Sequence, residues 1–306
     1  MKRFRDIMEE LGAERWALGF VWGGMDAVMD GASQIGNLSF DICDLQVDWV
    51  KMPRDCWMAD PFVLDVTDTE ILLLVEEMPY AKSKGIITLL HIDRVSMEIT
   101  ARKVLLELPT HLSFPAIWRK DGHIYVYPES AKSGRLDMYE YHPDKEELAF
   151  VQTICDDVVW DSFITEAFGE ARLFTASKND YQLDIYRWDS KRRRFVSDVV
   201  ILSEKPNSRM GGGVFEYNNS LYYPAQDCSE RYGGAIDIKR IKVESGKWKV
   251  ESVKHLTSPH PKYRLGMHTM NEYKGVVVID VLGYKYGWIG AFISYLVKIK
   301  KMVCGL

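Results

Sequence analysis

Five stretches of this 306-residue chain repeat one grammar, and no other feature limits the fold as tightly. They are "DPFVLDVTDTEILLLVEE" from Asp60, "FPAIWRKDGHIYVYPES" from Phe114, "DSFITEAFGEARLFTAS" from Asp161, "GGGVFEYNNSLYYPAQD" from Gly211 and "MHTMNEYKGVVVIDVLG" from Met267. Each reads as a short apolar strand, a polar or glycine-containing turn, and a second strand of β-branched and aromatic residues, which is hairpin patterning. In the first four units a third alternating strand follows, at "GIITLLHID", "LDMYEYHPD", "LDIYRWDS" and "AIDIKRIKV". A fourth comes after it, at "ARKVLLEL", "ELAFVQTI", "RFVSDVVIL" and "WKVESVKHL". Four strands recurring every 50 residues or so, about the spacing of known blade repeats, are the signature of a propeller blade. The expected fold is all-β, a five-bladed β-propeller with blades starting near 60, 114, 161, 211 and 267, and a single domain over 1–306.

The fifth unit shows two clear strands, and "RWALGFVWG", residues 15–23, is a strand with no hairpin partner. Added to the last blade, it closes the ring and hides an exposed edge. Residues 24–49 have no period and read as a long loop or irregular excursion, while "ISYLVKIK" at 293–300 reads as a further strand or a terminal helix. "KRRR" at 191–194 falls between two strands and reads as a solvated turn. "GGG" at 211–213 opens no helix, so it is not a phosphate loop; it suits an innermost strand that must approach a crowded axis.

A net charge of −5 argues against a general nucleic-acid or anionic-membrane binder. The five cysteines, at 43, 56, 155, 228 and 304, are odd in number and lack CxxC spacing, which excludes a disulfide framework or zinc cluster; Cys228 reads as a small buried hydrophobe. The charged opening "MKRFRDIMEELGAERW" has no apolar core of a signal, and "GWIGAFISYLV" is about half of a spanning helix, so a cytoplasmic protein without a transmembrane segment is expected.

A propeller brings equivalent positions of all blades to its axis, so the repeat names residues that should meet. Blade starts bring Asp60, His111 with Pro115, Asp161, Arg209 and His268 together; second-strand ends bring Glu129 and Asp227, with Asp280, toward the same channel. Glycoside hydrolysis needs two carboxyl groups flanking the scissile bond, and a third acid can hold their proton affinities apart. Asp60, Glu129 and Asp161 are the candidate catalytic trio, and Arg209 is the candidate fork on a hydroxyl-rich or anionic substrate. Trp57, Trp160 and Tyr232 are candidate stacking surfaces, although nine tryptophans and 16 tyrosines serve blade packing as readily. Any one strand-end acid also has a plain structural use, capping a turn or pairing with Lys or Arg. His268 reads as a satisfied core histidine, a channel metal ligand or a substrate contact.

"WMADPF", "LSFPAIWRKDGHIYVYPES", "WDSFITEAFGEARLFTAS", "SRMGGGVFEYNNSLYYPAQDCSERYG" and "LGMHTMN" resemble the propeller domain of the glucosamine inositolphosphorylceramide transferase family, from Trp16 to about Gly287. That domain is similar in turn to the five-bladed clan of arabinanases, xylosidases and fructosidases. The resemblance implies a general base or nucleophile at Asp60, a supporting acid at Asp161, and His268 as an axial histidine near a calcium ion or water. The clan's general acid is a Glu at the start of blade four, where this chain reads "NSRMGGG" with Arg209. Either Glu129 or Asp227 supplies the proton instead, or glycosides are not hydrolysed in the clan's manner. The expected function is glycoside hydrolase-like action on a saccharide or glycoconjugate in the axial pocket. The alternatives are a non-catalytic saccharide-binding propeller assisting glycan or glycolipid assembly, and a protein-interaction propeller with a sealed axis.

Overall fold

The computed structural model describes residues 10–31 and 45–304; Cys43, the opening residues 1–9 and the 32–44 part of the expected loop lie outside the described residues. Among the described residues, twenty strands form five four-stranded antiparallel sheets. Blade one is β3 (Cys56–Val66), β4 (Glu70–Pro79), β5 (Ile86–Asp93) and β6 (Ile99–Leu106). Blade two is β7 (Ser113–Lys120), β8 (His123–Glu129), β9 (Leu136–His142) and β10 (Glu147–Cys155). Blade three is β11 (Trp160–Thr165), β12 (Arg172–Ala176), β13 (Gln182–Asp189) and β14 (Arg194–Leu202). Blade four is β15 (Phe215–Tyr217), β16 (Ser220–Asp227), β17 (Ala235–Glu244) and β18 (Lys247–Leu256). The order of the fifth sheet is β19 (Met270–Tyr273), β20 (Val276–Tyr284), β1 (Glu14–Trp22) and β2 (Asp48–Trp49).

The ring closes as the unpaired strand at 15–23 suggested. β1 pairs antiparallel with β20 from Glu14 opposite Tyr284 to Trp22 opposite Val276, so the two ends of the chain share one blade and neither leaves an open inner edge. Of the stretch expected as a loop or irregular excursion, the described residues hold the helix α1 (Gly24–Asp30) and the outer strand β2. The tail resolves to a helix, α2 (Gly287–Cys304); its adjacent apolar pairs, such as Trp288–Ile289, break the alternation that a half-buried strand requires. Lys191, Arg192 and Arg193 of the "KRRR" run form the exposed turn between β13 and β14, and Arg194 opens β14.

Alternation along the strands turns apolar side chains into the spaces between blades. Leu74, Val126, Phe174 and Tyr223 belong to one cluster running through blades one to four. Leu18, Leu73 and Val278 belong to another between blades five and one.

The innermost strands carry a device that the repeat did not reveal. β3, β7 and β11 each bulge at the same place: between Ala59 and Phe62, Ser113 and Ala116, and Trp160 and Phe163. The first bulged residue is left-handed each time, with φ of 50° at Asp60, 43° at Phe114 and 46° at Asp161. A bulge re-aims the side chain it carries. Aspartate tolerates this backbone; Phe114 does not do so readily, and its strain is offset by complete burial with its ring edge-on to Phe62 at 5.0 Å. Because Phe114 shares the conformation, the strain belongs to the architecture, and chemistry enters through which side chain stands there.

Blade four reaches the axis through glycine. A Cβ on Gly212 would lie 1.9 Å from the Met270 carbonyl oxygen, and one on Gly213 2.6 Å from the Phe163 ring. The triple glycine therefore answers to crowding. Asn271 ties the hub together, donating to the Pro61 carbonyl at 3.0 Å and accepting from Gly213 N–H at 3.0 Å.

Candidate functional site

At one mouth of the ring a cavity of about 230 Å³ is lined by Trp16, Trp57, Asp60, Glu76, His111, Ser113, Glu129, Asp161, Arg209, Tyr232 and His268. A second cavity of about 300 Å³ shares Trp16, Trp57 and Tyr232 with it and opens outward past Glu14 and Arg231. The opposite mouth holds a separate cavity of about 190 Å³ around Phe62, Arg119, Phe163 and Asn271, which shares no lining residue with the first.

The floor is built on Asp280, which is completely buried. Its Oδ1 accepts the backbone N–H groups of His268 at 3.1 Å and Thr269 at 2.9 Å and faces His268 Nδ1 at 2.9 Å; its Oδ2 accepts Asp60 N–H at 3.0 Å. On its far side His268 Nε2 stands 3.1 Å from Asp60 Oδ1, off the line of a hydrogen bond, while Asp60 Oδ2 accepts Phe114 N–H at 3.0 Å. Burial works against a charge on this imidazole, yet Asp280 and Asp60 overcome it and hold His268 well above its ordinary range. Burial likewise works against the Asp280 carboxylate, and His268 with the converging N–H groups keeps it below the usual range. Trp16 stacks on the same imidazole at 4.0 Å, and Tyr232 meets it edge-on at 5.7 Å.

Blades two, three and four supply the other wall. Glu129 Oε2 accepts Asp161 N–H at 2.9 Å, fastening the end of β8 to the start of β11. Arg209 puts Nε and one terminal nitrogen on Asp161 Oδ2, each at 2.7 Å, and Gln226 donates to the same oxygen at 2.9 Å. Burial first, then the neighbouring charge of Asp161, push the Glu129 carboxyl well above its ordinary range. Burial also raises Asp161, with Arg209 and His268 pulling against it. The guanidinium of Arg209 lies 5.5 Å from the Trp160 ring and 5.3 Å from the Tyr232 ring, a cation held between two aromatic faces.

The repeat thus brings Asp60, Glu129, Asp161, Arg209 and His268 to one cavity, with His111, Trp57 and Tyr232 on its lining. Trp160 reaches it only through Arg209. Asp280 lies behind the floor. Asp227 is not brought in: along β16 it is Gln226 that turns to the axis, and Asp227 turns to the other face, near His255 at 3.8 Å. His111 is not the counterpart of Asp60, because that bulged position is Phe114; its imidazole reaches the cavity from the segment before β7 and faces Glu76 Oε1 at 3.2 Å. Cys228 is a free thiol that is half-buried rather than buried, whereas Cys56 and Cys155 are buried free thiols.

Sequence reasoning passed over three contributors. Glu76 stands at a second-strand end, equivalent to Glu129, and that was the signal for it. Trp16 sits on the closing strand, whose place in blade five carries it to the mouth. Gln226 was hidden by one residue of register.

The donors do not fit a calcium ion at His268. Calcium takes six to eight oxygens, whereas both Asp280 oxygens are directed at N–H groups and Asp60 Oδ2 accepts another, which leaves Asp60 Oδ1 beside an imidazole.

Burial raises the Glu76 carboxyl to about 7 against the opposing pull of His111. A carboxyl raised in the folded state contributes stability that is complete below its unfolded value, 4.5, and is lost as pH rises toward 7. Glu76→Gln should therefore melt like wild type at low pH and a few degrees higher above pH 7, by roughly 1–2 kcal/mol. A melting series across that window checks it; equal curves for both proteins would refute it.

The chain matches the profile of the family described as glucosamine inositolphosphorylceramide transferase 1, N-terminal, over residues 42–273. It is similar to the glucosamine inositolphosphorylceramide transferase 1 of Arabidopsis thaliana, 29% identical over 203 residues, which is 62% of this chain and 26% of that protein. The protein of the same name from Oryza sativa subsp. japonica is 25% identical over 195 residues, 60% of this chain and 26% of the relative. The match thus spans about a quarter of the curated relatives' length. Among solved structures, the RS223 β-xylosidase superposes with a TM-score of 0.50 at 13% identity, covering 76% of this chain and 95% of that one, a likeness of fold.

Proposed function

The chain belongs to the glucosamine inositolphosphorylceramide transferase 1 N-terminal family, and from that premise we propose that its axial pocket takes a saccharide or glycoconjugate and acts on it in the manner of a glycoside hydrolase. The observation that carries this reading is two carboxyl groups in unlike settings on one cavity: Glu129, whose proton affinity burial and then Asp161 raise, and Asp60, held 3.1 Å from the His268 imidazole. Two carboxyl groups in unlike environments are what acid–base chemistry at a glycosidic bond requires. Asp60 is then the base or nucleophile, Glu129 the acid, Asp161 the charge that adds to burial in raising the proton affinity of Glu129, and Arg209 the clamp. Trp16, Trp57 and Tyr232 offer ring faces to a sugar. A cavity of about 230 Å³ is below the range for drug-sized ligands and suits one ring, with the adjoining mouth receiving the rest.

One observation favours a second reading, a saccharide-binding module that assists glycan or glycolipid assembly without catalysis. Each oxygen of Asp60 already faces a partner, Phe114 N–H or His268. A screen of glycans and aryl glycosides against wild type, Asp60→Asn and Glu129→Gln separates the two. Turnover lost in both variants supports hydrolysis; binding without turnover in all three proteins supports the module.

A further inference from the structure

α2 has the wrong side out for a helix at rest in water. Its inward face is Gly290 and Ile293; a Cβ on Gly290 would meet Tyr284 at 2.9 Å and the Leu11 carbonyl oxygen at 3.0 Å, so the helix lies tightly against the body there. Its outward face is apolar as well. Trp288 is 80% exposed, Phe292 58% and Tyr295 62%, with Ile289 and Leu296 beside them. These fall at helical spacing, 288, 292 and 295 on one line and 289, 292 and 296 on the next. Contiguous exposed aromatics on one face are rare in a soluble protein without a partner. The helix sequence contains no acidic residue, and Lys298, Lys300 and Lys301 follow in its last turns. An aromatic face with a cationic end is the composition of a helix that lies in a lipid headgroup layer. No helix among the described residues is long and apolar enough to cross a membrane.

Its position matters as much as its composition. β20 runs to the site mouth, where Leu282 lines the outer cavity with Glu14, Trp16 and Tyr232, and α2 starts three residues beyond the end of that strand. The helix therefore begins at the same end of the ring as the acidic pocket.

We propose that α2 is an interfacial helix that docks the propeller on an anionic lipid surface with the pocket mouth on the membrane-proximal side. The net charge of −5 gives the whole molecule no general attraction to such a surface; the attraction is local to this helix. Docking needs no chemistry in the pocket, so the aryl-glycoside screen and this binding stand or fall separately.

The test is co-sedimentation of the full chain with phosphatidylcholine vesicles with and without phosphatidylserine, at low and high salt. Wild type should pellet with the phosphatidylserine vesicles at low salt and be released by high salt. Trp288→Ser with Phe292→Ser should weaken partitioning on the order of a hundredfold, with an unchanged melting curve because both side chains are exposed. Lys298→Glu with Lys300→Glu and Lys301→Glu, an independent variant, should abolish the phosphatidylserine dependence. Wild type remaining in the supernatant, or either variant pelleting as wild type does, would overturn the proposal. So would a dimer in light scattering that the Trp288 and Phe292 variant splits, since the face would then belong to a second copy.

Discussion

Asp280→Ala should lower the melting temperature on the order of 10 °C, the largest stability loss expected from any single change at the pocket. The side chain is completely buried and takes no part in the cavity surface, so only its internal partners count. Removing it strands the backbone N–H groups of Asp60, His268 and Thr269 and leaves the His268 imidazolium with one counter-charge, Asp60, in place of two. Breaking one side of a buried ion pair costs about 3–5 kcal/mol, and each orphaned donor adds to that. The pH response gives an independent reading of the same contact. His268 is raised in the folded state, so its stabilisation is complete below its unfolded value and is lost as pH rises through the folded one. Wild type should lose stability on the alkaline side, and Asp280→Ala should show less of that loss because the imidazole no longer gains as much on folding. Thermal melts across pH check both; a variant melting within a degree or two of wild type would mean that Asp280 does not hold the floor.

The ring was legible in the sequence because its cause is periodic. A strand pattern that recurs at one spacing can bury its faces only by stacking equivalent units, and the lone strand at 15–23 has no satisfactory place except the incomplete last blade. The gathering of Asp60, Glu129, Asp161, Arg209 and His268 followed from that symmetry without any knowledge of local detail. The failures are all local. Along β16 the pattern was followed one residue too far, to Asp227, where Gln226 faces the axis; in blade two the bulged position is Phe114, three residues beyond the expected His111. Alternation along a strand is unforgiving of such a shift, since every neighbour faces the other way. Trp16 and Glu76 were missed for another reason: their strands were placed correctly, but the second-strand end of blade one and the inward face of the closing strand were not followed to the mouth. α2 was left between strand and helix because a short apolar run carries no period decisive for either.

Asp60→Asn should remove glycoside turnover by on the order of 10³-fold on every substrate that wild type cleaves, whatever its leaving group. An amide cannot act as base or nucleophile, yet it preserves an oxygen for Phe114 N–H, so the fold and saccharide affinity should survive. Glu129→Gln should behave differently. An acid is needed in proportion to the basicity of the departing oxygen, so aryl glycosides with good leaving groups should lose little and alkyl glycosides should lose as much as with Asp60→Asn. The pH profile follows from the same group. Glu129 is raised well above its ordinary range by burial and by Asp161, and it works in its protonated form, so wild-type kcat/KM should fall on the alkaline side as that proton leaves. The alkaline limb should disappear in Glu129→Gln. It should move to lower pH in Asp161→Asn, where the like charge that helps to hold the proton is gone. Steady-state rates for an aryl and an alkyl glycoside across pH measure all of this at once. Equal losses on both substrates in Glu129→Gln, with the alkaline limb intact, would take the acid role away from Glu129 and leave the pocket as a place where sugars bind.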